Sequence, residues 1–179
     1  MIRRTAIAVL ATAASLSARA QTPPPPAADE LPLATAVEFA QAAIAACEAN
    51  TYKVTALVMG TDYSIKLILR ADGARGMTAD IARRKAYTVL KTGMTSGAYG
   101  ASVAPPAGTP AAPPAPGALP GLPPGQNVDP NLIVWAGGLP VTAGGKVVGA
   151  VSVSGAPGGD KDEACVQAGL AKVAAILRP

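Results

Sequence analysis

The stretch KVTALVMGTDYSIKLILRADGARGMTAD, residues 53–80, decides the fold. Lys53 to Met59 reads as one strand. Ser64 to Arg70 reads as a second, with Ile65, Leu67 and Leu69 alternating against Lys66 and Arg70. Gly60-Thr61-Asp62-Tyr63 supplies the connection of a hairpin. Asp72-Gly73 then turns the chain, and a helix starts near Thr78, whose hydroxyl suits the free N–H groups of a first turn. Asp80 favours the positive end of that helix.

Outward from this core the same reading continues. Upstream, Val37, Ala40, Ile44 and Cys47 recur at helical spacing and predict a helix over Leu33 to Ala49, ended by Asn50. Downstream, Leu132 to Ala136, Leu139 to Thr142 and Lys146 to Ser154 read as strands, the last two joined through Ala143-Gly144-Gly145. A closing helix is predicted from Asp160 to Leu177, with Asp160, Asp162 and Glu163 at its start and Lys172 and Arg178 near its end. The order is α-β-β-α-β-β-β-α. Consecutive hairpins favour an α+β fold, a mostly antiparallel five-stranded sheet covered by about three helices.

The N-terminus carries an export signal. Arg3 and Arg4 precede the apolar run Ile7 to Leu16, and Ala18-Arg19-Ala20 is a small-x-small cleavage pattern, so residues 1–20 are expected to leave before Gln21. The run is shorter than the about 20 apolar residues of a membrane span. A periplasmic or secreted location follows. Residues 21–30 read as a Pro-rich linker and 31–179 as one domain, interrupted at 104–125 by a Pro-, Ala- and Gly-rich stretch expected to be a mobile loop.

Composition narrows the function. The chain has 15 basic and 11 acidic residues, a net +4. Without Arg3, Arg4 and Arg19 the balance is 12 to 11, a net +1, which leaves no electrostatic footprint for nucleic acid. There is no histidine, which removes the commonest general base and metal ligand. Cys47 and Cys165 are disulfide candidates in an oxidising compartment, since packed antiparallel helices would bring them together.

Local motifs give little chemistry. The Gly-Gly-Lys at 144–146 lacks the rest of a phosphate loop, because Pro140 stands where a glycine is needed and Val147 follows the lysine. Ser152 and Ser154 lack the Gly-x-Ser-x-Gly elbow. No catalytic residue is assigned. Arg70 and Asp72, closing a strand before a turn, divide evenly between a structural turn and a ligand-facing role. Arg83, Arg84 and Lys85 form a basic helix edge, expected to be a solvated face.

Taken in order, several segments carry a resemblance. These are the Leu33-Ala34 helix, Arg70-x-Asp72-Gly73-Ala74, Lys85-Ala86-x-Thr88, Gly137-Gly138-x-Pro140, Gly149-Ala150, Val153-Ser154-Gly155, Asp162-Glu163 and Ala168-Gly169. The chain resembles the GlcG/HbpS-like haem-binding (haem-degrading domain) family. The resemblance implies a profilin-like sandwich, a homo-oligomer, and haem or another small anionic molecule as ligand. Its departures from the pattern are Met59-Gly60-Thr61-Asp62 in the first hairpin, Met94 where proline is usual, and the expanded loop. Haem here would draw its iron ligand from Met59, Met77, Met94, Tyr52, Tyr63, Tyr87 or Tyr99, with Thr88 and Thr95 as weaker donors. Arg70, Asp72, Lys85, Thr88 and Thr95 are the candidate ligand-binding residues. An enzyme or enzyme accessory acting on a small organic acid is the alternative function, and an oligomeric scaffold without ligand is the third.

Overall fold

A computed structural model describes residues 30–109 and 129–177. Residues 1–20, read as a signal, the linker up to Asp29, and most of the 104–125 stretch lie outside the described residues. The elements run α1 (Leu33–Glu48), β1 (Thr55–Met59), β2 (Ile65–Arg70), α2 (Thr78–Thr92), α3 (Ser96–Ser102), β3 (Gly138–Ala143), β4 (Lys146–Ser154) and α4 (Gly159–Val173).

The strands form an antiparallel sheet in the order β2-β1-β4-β3, so β1 and β4 are central. β1 is buried at every position, because helices cover both faces. Ala56 and Val58 face α1 and α4 with Val151 and Val153, whereas Leu57 and Met59 meet Ala82, Ala86 and Val89 of α2. Gly144 and Gly145, both at positive φ, form the two-residue turn between β3 and β4, a backbone that favours glycine. Cys47 and Cys165 are disulfide-bonded, tying the end of α1 to α4.

The architecture is α+β, with two corrections to the expected details. The described residues hold four strands, not five, since Leu132 to Ala136 is not a strand. Its backbone is bonded by side chains of α2 instead: Arg84 Nη2 donates to Leu132 O at 2.6 Å, and Ile133 N donates to Thr88 Oγ1 at 2.9 Å. Apolar residues there reflect burial under a helix, not a ladder. The described residues also hold four helices, not three. α3 escaped the sequence reading because its seven residues, SGAYGAS, have no apolar stripe.

Candidate functional site

Helical spacing places Lys85 on the same stripe as Ala82 and Val89, three and four residues away, and so turns it toward the sheet. Its amine donates to Val153 O at 3.0 Å and to Asp162 Oδ2 at 2.7 Å. Both side chains are buried, 1% and 5% exposed. Asp162 Oδ1 accepts from Ala156 N at 2.9 Å, so the pair ties α2, the end of β4, the following loop and the start of α4. Desolvation pushes the Lys85 amine down and the Asp162 carboxyl up, and their mutual attraction opposes both shifts. The backbone passes close over the pair at Gly137, where a Cβ would stand 2.8 Å from Lys85 Nζ and 2.7 Å from Asp162 Cβ.

Above this pair opens a cleft of about 360 Å³. It lies where α2 and α4 both begin, lined by Arg75, Met77, Thr78, Trp135, Gly158 and Gly159 with Lys85 and Asp162. Thr78 Oγ1 donates its only hydrogen to Arg75 O at 2.6 Å, so the buried Thr55 hydroxyl, 2.7 Å away, donates to Thr78. That chain fixes the backbone carrying Arg75. Met77 and Trp135 are large apolar side chains left 53% and 40% exposed. The site thus offers a thioether, a flat indole and a guanidinium around one opening, next to the N-terminal end of α4.

Of the five residues expected to bind ligand, only Lys85 lines this cleft. Arg70 Nη1 donates to Ala74 O at 2.8 Å and braces the turn that contains exposed Asp72. Thr88, fully buried, donates to Arg84 O and accepts from Ile133 N. Thr95 caps α3, accepting from Ala98 N at 3.1 Å. The basic edge of α2 is not a solvated face: Arg84 and Lys85 are buried, and Arg83 pairs with Asp80 while reaching Asn131. Among the expected iron donors, Met59 is buried in the core. Tyr87 donates to Asp129 at 2.5 Å, which pushes its hydroxyl up to about 12 and holds the Asp129 carboxyl below the usual range. Arg75 and Trp135 are not among the residues the sequence singles out, and Asp162 enters there only as an acidic helix start and in the Asp162-Glu163 segment of the resemblance. The one available signal was the single tryptophan of an aromatic-poor chain. Among the described residues no group of three or more His, Cys, Asp or Glu side chains could hold a metal ion, and no helix is long and apolar enough to cross a membrane.

Residues 31–171 match the family described as haem degrading protein HbpS-like. Among solved structures, HbpS is 30% identical, with 89% of this chain and 97% of that chain covered and a TM-score of 0.63. The Klebsiella pneumoniae protein ORFY is 26% identical over 90% of this chain and 99% of that chain, at a TM-score of 0.65. A PduOC–haem complex, 16% identical over 80% and 94% of the two chains with a TM-score of 0.65, shares the fold. A sequence comparison with curated proteins gives no match.

Proposed function

The chain belongs to the HbpS-like haem-degrading protein family, and we propose that it is an exported binder of haem or a related small anionic tetrapyrrole, held in the cleft between α2 and α4. The observation that carries this reading is the cleft's donor set. Exposed Met77 supplies a sulfur of the kind that ligates haem iron, Trp135 an apolar plane, and Arg75 a cation for propionate carboxylates. Bound haem would supply an iron centre open to ligand exchange and electron transfer. The protein's own part is to position these three groups. Thr78 and Thr55 fix the Arg75 backbone, and the Lys85–Asp162 pair anchors the floor.

Export is supported by the signal pattern in residues 1–20 and by the Cys47–Cys165 disulfide, which belongs in an oxidising compartment. A homo-oligomer is supported by edge strand β2, which leaves Ile65 and Ile68 exposed beside Tyr63. Light scattering of the purified protein tests this, and a monomer mass would remove it.

Haemin titration followed through the Soret band tests the ligand. Met77→Leu should change the position of the Soret band, and Arg75→Ala should weaken binding about tenfold. Lys172→Ala, in the last turn of α4 and outside the cleft lining, should leave both unchanged. Absence of a Soret change in the unaltered protein would sink the reading.

A further inference from the structure

The cleft does not end at Arg75. It shares Arg75, Gly155 and Ala156 with a second hollow of about 320 Å³, which in turn shares Tyr52 with a third of about 310 Å³. We propose that the second and third hollows are carboxylate subsites of the cleft, so that its ligand is an apolar body bearing acidic arms that reach Lys53 and Lys161. The proposal rests on the reading of the cleft as a tetrapyrrole site and adds the side of the molecule over which the ligand's arms lie.

The lining changes character along this path. The cleft presents Met77, Ile81 and Trp135 to an apolar body. The second hollow is lined by Lys53, Arg75 and the ring of Pro157, and the third by Lys161 and Tyr52. No acidic side chain lines either of these two hollows. The single acid of the cleft lining, Asp162, is already matched by Lys85. This run of cations is a local field for anions.

Each lysine is placed to serve. Lys161 Nζ stands 5.7 Å from the centre of the Tyr52 ring, which holds the ammonium near the residue that joins the two hollows. Lys53 pairs with Glu48 at 2.8 Å, but both are exposed and Glu48 lines neither hollow. An exposed pair of this kind is weak enough to yield to a bound carboxylate. A small acid would fill one hollow and gain nothing from the others. An apolar molecule with carboxylate arms would use the full path.

The test compares haemin with its dimethyl ester, which keeps the iron and macrocycle and removes both charges. Each is titrated against the unaltered protein, the Lys53→Ala/Lys161→Ala double variant and the Lys53→Arg/Lys161→Arg variant. Both lysines are exposed, so circular dichroism should show all three proteins folded. The double alanine variant should lose about tenfold in haemin affinity. The arginine variant should recover most of it, and ester binding should be the same for all three. Equal haemin affinity in the unaltered protein and the alanine variant overturns the subsites and leaves the cleft reading standing. Failure of both compounds to bind the unaltered protein overturns the cleft reading, and the subsites with it.

Discussion

Against α1 and α4 the sheet presents Ala56, Val58, Val151 and Val153, which meet Phe39, Ala40, Ala43 and Val166. Against α2 it presents Thr55 and Ser152 as well as Leu57 and Met59. There the partners include Thr78, whose hydroxyl bonds Thr55, and the carbonyl of Ala82, which accepts from Ser152 Oγ at 2.7 Å. The first face is held by apolar burial and a disulfide. The second holds buried charge, which an apolar replacement of the same volume often nearly matches in stability. The cleft opens beside the second face and not the first. Stability and the candidate site are thus divided between the two sides of one sheet.

Removing the disulfide should have the largest effect. Its partners are 118 residues apart, so Cys47→Ala/Cys165→Ala should lose about 4–5 kcal/mol by the loop-entropy relation, read from denaturant midpoints. A loss below about 1 kcal/mol, the scale of a single hydrogen bond, would mean that packing alone secures the apolar face. On the other face, Asp162→Ala strands the Lys85 ammonium and should lose about 3–5 kcal/mol. The combined Lys85→Met/Asp162→Leu chain should regain most of that loss while altering the cleft. If it does not, the pair is needed for folding, and the contrast between the faces is weaker than drawn.

Smaller changes sharpen the same contrast. Gly169 of α4 sits where a Cβ would stand 2.8 Å from the Phe39 ring and 2.9 Å from Phe39 O, so Gly169→Ala should cost about 1–3 kcal/mol by overpacking. Tyr87→Phe tests the outer edge of α2. The raised Tyr87 value means that its proton is bound more tightly in the fold than in the open chain. The stability this gives is present below pH 10 and lost as pH rises toward about 12. Tyr87→Phe should delete a step near pH 12 from the alkaline absorbance titration and cost about 1 kcal/mol at neutral pH, the scale of one hydrogen bond.

The apolar face and the first hairpin were legible because their signals are periodic. The α1 stripe, the alternation in β2 and the Gly-Gly turn each stand in the chain next to what they determine. The second face is less legible because charged residues on a helix ordinarily face solvent. Three consecutive charges on a helix span about 200° at 3.6 residues per turn, so Arg83, Arg84 and Lys85 could not all face water while Ala82 and Ala86 faced the sheet. Lys85 lies on the stripe of Ala82 and Val89, and that spacing marks it for burial. Its partner Asp162 lies 77 residues away, a pairing that no local pattern reveals. Trp135 and Arg75 meet in the cleft only through the third dimension.

The bond between Cys47 and Cys165 makes the greater part of this domain a covalent ring. Any single backbone cut between Glu48 and Ala164 opens the ring without freeing a fragment. Elastase, expected from composition to cut first between Ala104 and Gly121, would then leave one band on a gel without reductant and two with it. A protein wired in this way would keep its parts together after a nick by a protease.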